Sequence, residues 1–573
     1  MHTIIPEKIL GTALGNEQKN YLEGFFNGLA AQGVSFSAVP PSAHAVPTED
    51  TYLIAEERIK KEEHPLDSYY RIVENAAGNK PPEKEEVFRF KWNGLFFQSP
   101  IKDTFMARLR IPGGQLKSYQ LREIADVSSH LTSGYVQITT RANLQIRSIE
   151  SKDCPEVLRR IQSVGLHTRG AGADNVRNLT CNPTAGVDPV ELIDCLPYVH
   201  ELGQFILAHR EFYDLPRKFN IAFDGGGLIG AVEDTNDIGA KAVLDDNGFV
   251  KFRIALGGAT GHKAFARDLG VLVGPEELVK VTICLLRVFL KHGNRKDRKR
   301  ARLKHLLETW TLADYLAETE KLLGYSLPRV PLSPNSLSYA SQEIPHSHIG
   351  VHRQKQDDKC YIGIALPAGQ ITSKQLRRLA DLADHFGSGD VRLTVWQNLV
   401  IPNIPVVFIE SVKRDILRMG LAWKQSNVAS GIIACTGNRH CKYAATDTKG
   451  HAVELAKFLD NQVTLDEPVN IHFTGCPHSC AQHYMGDIGL LGAKTRDGAE
   501  AYHVFLGGGF GKNQAIGRQI FQAMPFEEVK TTIAAMLRHF KMSRHPGETF
   551  QAFTTRHDVG QLQEVLAHVE HTR

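Results

Sequence analysis

Four cysteines, arranged in two pairs, are the residues of this 573-residue chain whose types and spacing best suit chemistry. Cys435 and Cys441 have C-x5-C spacing, and Cys476 and Cys480, further along, have C-x3-C spacing. Four thiolates that a fold brings together can hold a tetrahedral zinc ion or a cubane iron–sulfur cluster. Zinc ribbons usually have the shorter C-x2-C spacing, so the observed spacing favours the cluster.

The overall composition excludes several other classes of protein. No apolar run is long enough to cross a membrane, and the segment 1–8 lacks the apolar region of a signal peptide. Nine cysteines in a chain of this length do not form a disulfide scaffold. We therefore expect a cytoplasmic protein with no membrane role. The net charge of +4 does not indicate a nucleic-acid partner, but it is compatible with an acidic partner protein.

An internal repeat organises most of the chain. Residues 115–146 match residues 370–401 without a gap, and three shorter matches follow at 220–223, 237–239 and 256–258, each with a counterpart 250 residues later. Apolar spacing predicts that the long repeat is a helix followed by strands. We therefore predict an α+β fold of two homologous halves related by a pseudo-twofold axis, with a ligand site where the halves meet.

Three segments follow from this duplication: an N-terminal extension over 1–85, a first half over 86–345 and a second half over 346–573. Within the extension we predict an amphipathic helix over 16–31, a linker over 38–44 and a charged helix over 56–63. We interpret the extension as a segment that wraps or caps the rest.

Functional residues are expected where the two halves differ. Arg108, Arg110 and Arg141 of the first half have Gly363, Ala365 and Trp396 at the matching positions. Conversely, Gly226 and Gly230 stand where the second half has Cys476 and Cys480. These differences indicate a division of labour, in which one half holds metal and the other holds anions.

The glycines at 225, 227 and 230 form a G-x-G-x-x-G pattern that does not indicate a dinucleotide site. The fingerprint requires a following helix within a βαβ unit, and residues 231–240 do not form a convincing helical pattern. The internal repeat already accounts for these glycines, and no flavin-binding module is visible.

The cysteine pairs, with Gly437, Asn438 and Pro477 among them, resemble the sirohaem and [4Fe-4S] site of assimilatory nitrite and sulfite reductases. The resemblance implies that the four cysteines hold a [4Fe-4S] cluster, that Cys480 bridges the cluster to the sirohaem iron, and that Asn438 binds the cofactor. It covers most of 86–573 and is closest to the ferredoxin-dependent nitrite reductases.

Basic motifs of the first half extend the resemblance. Residues 106–114 resemble the family's M-x-R-x-R-[LI]-P-G-G strand and turn, in which the first arginine reaches the substrate, so Arg108 takes that role. Arg110 is expected to face the same pocket, because alternate residues of a strand share a face. Residues 139–145 resemble T-x-R-Q-x-x-Q, which makes Arg141 and Gln145 sirohaem ligands, although Ala142 replaces the usual glutamine.

Two further motifs supply the rest of the predicted pocket. Asp174–Asn178 resembles the stretch that carries the family's second substrate arginine, here Arg177. Leu215–Asn220 resembles the P-R-K-[FW]-[KN] strand, which makes Lys218 a substrate ligand and Asn220 the position that is asparagine in nitrite reductases and lysine in sulfite reductases. Arginine suits a polyanionic macrocycle, because it binds carboxylates bidentately and stays charged.

The resemblance implies a monomeric, cytoplasmic enzyme that reduces nitrite to ammonia with six electrons from ferredoxin. An assimilatory sulfite reductase with the same cofactors is the alternative, and a non-catalytic iron–sulfur or zinc protein is the alternative from another class. The basic run 291–304 is open to three interpretations: a solvated helix face, a contact to cofactor carboxylates, or a docking site for an acidic electron donor.

Overall fold

The computed structural model describes residues 53–98, 103–331 and 348–570, with short pieces at 8–9, 12–13, 15–16 and 19. Most of the helix predicted over 16–31, the linker predicted over 38–44 and the predicted boundary at 345/346 lie outside these ranges. The chain divides into two compact units, Met1–Leu53 and Ile54–Arg573. In the first unit, strands Lys8–Ile9 and Thr12–Ala13 pair antiparallel.

The second unit begins with three helices, at Ala55–Glu62, Tyr69–Gly78 and Glu86–Arg89. The first confirms the charged helix predicted over 56–63. It carries Glu56 and Glu57 in its first turn and Lys60 and Lys61 in its last turn, which is the arrangement that the helix dipole favours. Residues 54–85 therefore belong to the same compact unit as the two halves.

Two five-stranded sheets, here called sheets A and B, lie at the centre of the repeat. In order across each sheet, sheet A contains Gln370–Thr372, Tyr135–Ile138, Leu144–Ile149, Thr104–Arg108 and Leu95–Gln98. Sheet B contains Gly350–Arg353, Lys359–Ile364, Leu399–Pro405, Asp390–Leu393 and Gln115–Lys117. All their pairings are antiparallel.

Each half contributes one short edge strand to the other half's sheet. Gln115–Lys117 of the first half pairs with Asp390–Leu393, and the matching Gln370–Thr372 of the second half pairs with Tyr135–Ile138. The following helices, Ser118–Leu131 and Ser373–Phe386, pack against each other. This reciprocal exchange is what the predicted pseudo-twofold axis requires.

Ion pairs between these two helices obey the same symmetry. The Arg122 guanidinium binds Asp381 at 2.8 Å, and the Arg377 guanidinium binds Asp126 at 2.5 Å. Each pair is the image of the other at an offset of 255 residues. Because both pairs are largely exposed, we expect them to specify how the halves dock more than to stabilise the fold.

Two further mixed sheets, here called sheets C and D, contain the second set of matches. In order, sheet C contains Arg267–Val273, Val250–Leu256, Ile238–Leu244 and Ile221–Asp224. Sheet D contains Ile432–Ala434, Ile471–Thr474, Ile488–Lys494, Glu500–Leu506 and Arg518–Pro525. Ile221–Asp224 and Ile471–Thr474 each run parallel to the neighbouring strand that follows in the chain.

The remaining helices cover these sheets. Those of the first half are Cys154–Ser163, Leu196–Ala208, Leu278–His292, Leu303–Leu306 and Leu312–Leu323. Those of the second half are Ile409–Arg418, Thr448–Asp460, Phe526–Ser543, Phe550–Arg556 and Val559–Glu570. One buried apolar cluster joins sheets A and B, and separate clusters underlie sheets C and D. Within the described residues, no helix is both long and apolar enough to span a membrane.

Candidate functional site

A cavity of about 720 Å³ lies where the two halves meet, and its volume is in the range of cofactor sites. Residues of both halves line it. Nine of the lining side chains are cations: Arg108, Arg141, Arg177, Arg217, Lys218, Arg298, Lys299, Arg302 and Lys449. None of the described lining residues is an aspartate or glutamate. The cavity is therefore suited to a polyanion.

Two parallel strands of sheet D lead into the two cysteine loops. Cys435 and Cys480 line the cavity, whereas Cys441 and Cys476 do not. Cys435 directly follows strand Ile432–Ala434, and Cys476 follows Ile471–Thr474. The Cys435 amide donates to the Phe473 carbonyl at 2.9 Å, and the Gly475 amide donates to the Cys435 sulfur at 3.2 Å. The two cysteine loops are thus joined by backbone contacts as well as by any shared ligand.

Glycines allow the loops to pack this closely. Gly437 has φ +73°, and an added Cβ there would lie 2.8 Å from the Thr448 amide nitrogen. At Gly475 an added Cβ would lie 2.6 Å from the Ala444 side chain. Larger residues would separate Cys441 from the second pair, because both loops would have to move.

The four thiols form one electrostatic group. Burial, together with the nearby thiols of Cys480, Cys435 and Cys441, raises the pKa of the Cys476 thiol to about 12. Burial and Cys435 also raise the pKa of Cys480, whereas Lys218 and Arg108 lower it. Among the described residues, no group of three or more His, Cys, Asp or Glu side chains is arranged to hold a single metal ion.

The first half contacts the cysteine loops directly. The Thr140 hydroxyl donates to the Cys480 carbonyl at 3.0 Å. The buried Arg147 guanidinium donates to the Thr436 hydroxyl at 2.6 Å, and the Tyr135 hydroxyl shares a 2.6 Å hydrogen bond with the His440 ring. The thiols and the cationic wall are therefore fixed relative to each other.

Arg108, Arg177 and Lys218, the three predicted substrate cations, all line the cavity. Burial lowers the pKa of each of them, and for Lys218 it lowers the pKa to about 7. None of the three forms an ion pair with a carboxylate in the described part of the chain. One guanidinium nitrogen of Arg177, Nη1, is buried there without any hydrogen-bond partner. An anion in the cavity would satisfy these groups.

Arg141, Gln145 and Asn220, three further predicted site residues, also line the cavity. The Arg141 guanidinium donates to the side-chain oxygen of Asn236, and burial lowers its pKa to about 10. Asn220 is held through its backbone amide, which donates to the Asp237 carboxylate at 2.8 Å, so its side chain is left to face the cavity.

Arg110 and Asn438 are two predicted site residues that do not line the cavity. The strand that carries Arg108 ends at that residue, so the alternation that predicted a shared face does not continue. The Arg110 guanidinium instead donates to the Val176 carbonyl at 3.0 Å. The Asn438 side chain donates to Glu500 at 2.6 Å and so braces the first cysteine loop.

Five cations of the cavity were not among the predicted site residues: Arg217, Arg298, Lys299, Arg302 and Lys449. Three of these come from the basic run 291–304, so part of that run does face the cavity. The run was a usable signal, because contact with cofactor carboxylates was already one of its three interpretations.

Lys449 had a subtler signal. It lies in the first turn of helix Thr448–Asp460, where the helix dipole disfavours a cation. The ammonium group donates to the carbonyls of Ala368 and Ala434, directly beside Cys435. Burial lowers its pKa to about 7, whereas Cys435 acts to raise it. The Cys435 thiol and the cavity give this lysine an electrostatic environment that its place in the helix does not.

Family models match both halves of the chain. The nitrite and sulphite reductase 4Fe-4S domain matches residues 172–327 and 426–571, and the nitrite/sulfite reductase ferredoxin-like half domain matches 99–164 and 352–418. These paired matches confirm the duplicated α+β fold predicted from the sequence.

Relatives and a solved structure agree with the family models. A ferredoxin–nitrite reductase of Synechococcus elongatus is 34% identical over 468 residues, covering 80% of this chain and 90% of the relative. An assimilatory ferredoxin-dependent nitrite reductase of Haloferax mediterranei is 32% identical, covering 82% and 85%. The structure of Mycobacterium tuberculosis NirA matches with a TM-score of 0.82 at 28% identity, covering 89% of this chain and 97% of that chain. The chain belongs to the nitrite and sulphite reductase family.

Proposed function

We propose that this protein reduces nitrite to ammonium with six electrons supplied by reduced ferredoxin. The observation that carries the proposal is a cavity lined by nine cations and by Cys480, with no carboxylate among its described lining residues. Relatives that cover most of the chain are ferredoxin–nitrite reductases. A non-catalytic iron–sulfur or zinc protein would have no use for such a cavity.

The described residues fit a [4Fe-4S] cluster. Cys435, Cys441, Cys476 and Cys480 would hold it, since four thiols act on one another at the ends of adjacent strands. Lys449, Arg147 and backbone amides such as that of Gly475 would surround it with positive charge and donors. Positive charge and hydrogen bonds to sulfur raise the reduction potential of such a cluster.

The cavity also fits sirohaem, whose carboxylates require many donors. Arg141, Arg217, Lys299 and Arg302 would hold those carboxylates, together with the Gln145 amide, because all five line the cavity. The Cys480 side chain is exposed and lines this space, so it would link the two groups. When bound, sirohaem supplies the iron at which a small oxyanion is reduced.

Arg108, Arg177 and Lys218 would bind the substrate anion. Their charges are preorganised in an enclosed space, so no large reorganisation is needed as negative charge changes during the reaction. Reduction of nitrite to ammonium consumes protons at each stage. Lys218 is suited to donate them through water, because it lines the cavity and burial lowers its pKa, which makes its proton easier to release.

Asn220 favours nitrite over sulfite as the substrate. Near neutral pH nitrite carries one negative charge, whereas sulfite is a mixture of singly and doubly charged forms. An asparagine at this position gives a neutral donor where a lysine would add a charge, and the smaller, less charged anion then binds better. Sulfite reduction remains the second candidate because the cofactors are shared.

Steady-state kinetics of the holoenzyme test the proposal. The rates with nitrite and with sulfite are compared, with reduced ferredoxin or NADPH as the electron donor. We expect a higher kcat/KM for nitrite with ferredoxin, and no turnover with NADPH alone. A holoenzyme that carries both cofactors yet reduces sulfite with the higher kcat/KM would overturn the choice of substrate.

The proposal also covers the oligomeric state of the enzyme, its location and the place where ferredoxin docks. We propose a monomer in the cytoplasm, where thiols stay reduced and available to bind a cluster. Ferredoxin would dock near the first cysteine loop, since Lys442 and the exposed Tyr443 follow Cys441 directly. Size-exclusion chromatography of the holoenzyme, with and without ferredoxin, tests whether the protein is a monomer and whether it binds ferredoxin.

A further inference from the structure

Helix Ala55–Glu62, which precedes both halves, carries charges that are unusually buried. Glu57 is 5% exposed and Lys60 is 7% exposed. Glutamate and lysine are almost never fully buried unless they are paired. The partners of these two side chains therefore indicate what the helix is for.

The Lys60 ammonium contacts two segments that lead into the cavity. It donates to the Leu215 carbonyl at 2.9 Å and lies 3.2 Å from the Asp214 carboxylate. It also lies 3.8 Å from the fully buried carboxylate of Asp174. Lys218 follows the first segment, and Arg177 follows Asp174 by three residues, so Lys60 connects the helix to the loops that carry the proposed substrate cations.

Glutamates of the same helix hold the basic run. Glu57 binds Arg295 at 2.7 Å, and Glu56 binds the Nε of Arg298 at 3.0 Å. Asp174 occupies the other two nitrogens of Arg298, at 2.7 and 2.9 Å. The Arg298 guanidinium is therefore engaged by carboxylates along both of its edges while the residue lines the cavity.

These side chains form a closed charge network that comprises four carboxylates and four cations. The carboxylates are Glu56, Glu57, Asp174 and Asp214, and the cations are Lys60, Arg217, Arg295 and Arg298. Two of the carboxylates and one cation come from the helix. Without the helix, the other five groups would carry one excess positive charge in a poorly solvated place, which is costly.

We propose that helix Ala55–Glu62 is a positioning element of the cavity. Its glutamates anchor the basic segment 295–302 so that Arg298, Lys299 and Arg302 stay on the cavity wall. The inference rests on the proposed function, because a bound polyanionic macrocycle is what this wall would hold. It assigns a specific role to part of the N-terminal extension and to the basic run.

Charge and positioning make opposite predictions for one substitution. If Glu56 acted only through its charge, Glu56→Gln would make the cavity more positive, and a polyanion would bind more tightly. If Glu56 acts by anchoring, the same substitution loosens 295–302 and the polyanion binds more weakly. Glu56 is half-buried at the surface of the helix, so the variant is expected to fold.

The experiment uses the holoenzyme and two measurements. The first is the rate at which the visible absorbance of bound sirohaem is lost on mild heating. The second is amide hydrogen exchange of the peptide that covers 295–302. For Glu56→Gln we expect loss about threefold faster or more, together with faster exchange of that peptide.

Glu308→Gln is the matched control. Glu308 binds Arg300 of the same basic run at 2.7 Å, but both are exposed and Arg300 does not line the cavity. We expect both measurements for this variant to stay within about twofold of the wild type. Glu56→Asp keeps the charge on a shorter side chain and should fall between wild type and Glu56→Gln.

Three results would overturn the inference: slower loss of sirohaem from Glu56→Gln, no change in either measurement, or faster loss with unchanged exchange over 295–302. Wild-type protein that never carries sirohaem would instead overturn the proposed function. The exchange measurement would still report in that case whether Glu56 anchors the segment, so the two failures are distinguishable.

Discussion

The loops at 224–231 and 474–481 occupy matching places in the two halves, but they are held in different ways. In the first half, Asn182 organises the loop: its amide oxygen accepts from the Gly225 amide at 2.7 Å, and its amide nitrogen donates to the carbonyls of Gly226 and Ile229. Asp224 adds two further bonds, from the amides of Gly226 and Ala231. The polar groups of this loop are satisfied internally.

In the second half, sulfur takes the place of that amide. The Cys435 sulfur accepts from the Gly475 amide, at the position that matches the bond between Asn182 and Gly225. Thr474 stands in place of Asp224, and its hydroxyl is buried without a hydrogen-bond partner in the part of the chain that the structure describes. This loop therefore depends on what the cysteines bind.

The comparison shows how a duplicated fold becomes unequal. A loop that closes on its own hydrogen bonds needs no ligand, and the cations of the first half reach the cavity from other segments. A loop that leaves a buried polar group unsatisfied gains more when its cysteines bind a ligand. The two designs predict opposite responses to substitution.

The largest difference is expected between Cys435→Ser and Asn182→Ser. We expect Cys435→Ser to lose the cluster and at least a thousandfold in nitrite reduction, because a ligand is removed. Asn182→Ser should keep its iron, but its free energy of unfolding should fall by about 1–3 kcal/mol, because buried amides and carbonyls lose their hydrogen-bond partner. Iron and acid-labile sulfide analysis, with denaturant unfolding, distinguishes the two; iron loss from Asn182→Ser would contradict the comparison.

Arg108→Ala makes the first half resemble the second, which has Gly363 at the matching position. We expect kcat/KM for nitrite to fall about a hundredfold, mainly through KM, while the sirohaem absorbance is kept. Arg300→Ala, an exposed cation outside the cavity, serves as the control. Loss of sirohaem from Arg108→Ala would mean that this arginine binds the cofactor and not the substrate.

Asn220→Lys adds another cation to the first half's side of the cavity, where most of the cavity cations already lie. We expect the ratio of kcat/KM for sulfite to that for nitrite to rise about tenfold, because the more highly charged anion gains more from the added ammonium. Steady-state kinetics on both anions, with a reduced viologen dye as the donor, measures the ratio. An unchanged ratio would remove the argument for nitrite that rests on this residue.

The smallest effect is expected from the difference between Asp237 and its counterpart Asp487. Arg302 binds Asp237 at 2.8 Å, whereas none of the described cations binds Asp487, and burial raises the pKa of Asp487 to about 7. Because this folded-state pKa lies above the unfolded value, stability falls as the pH rises from about 4 through 7. Between pH 5 and 8, the free energy of unfolding of Asp487→Asn should fall by about 1–3 kcal/mol less than that of the wild type, and activity should not change. Equal pH dependence in both proteins would refute this.

Local pattern predicted much of the fold. The 255-residue offset identified helices Ser118–Leu131 and Ser373–Phe386 and the strands after them, because helical and strand periodicities are properties of neighbouring residues. It did not predict the exchanged strands Gln115–Lys117 and Gln370–Thr372. They are too short to show an alternation, and their partners lie in the other half.

The site also contains residues that local sequence predicted and residues that it did not. The cysteines were predicted from their spacing, and Arg108, Arg177 and Lys218 were predicted from motifs that resemble those of the family. Arg110 shows the limit of that reasoning, since its direction depends on where a strand ends. Lys449 had only its unfavourable place in a helix as a signal.

The sequence by itself determined the duplication and the cations that distinguish the halves, and it indicated the four thiols that we propose bind the cluster. Only the tertiary structure decided that nine cations share one cavity and that Glu56 binds Arg298, although most of the first half separates the two along the chain. The physical reason is that spacing along a chain records local geometry, whereas a buried charge needs a partner in space, wherever in the chain that partner lies.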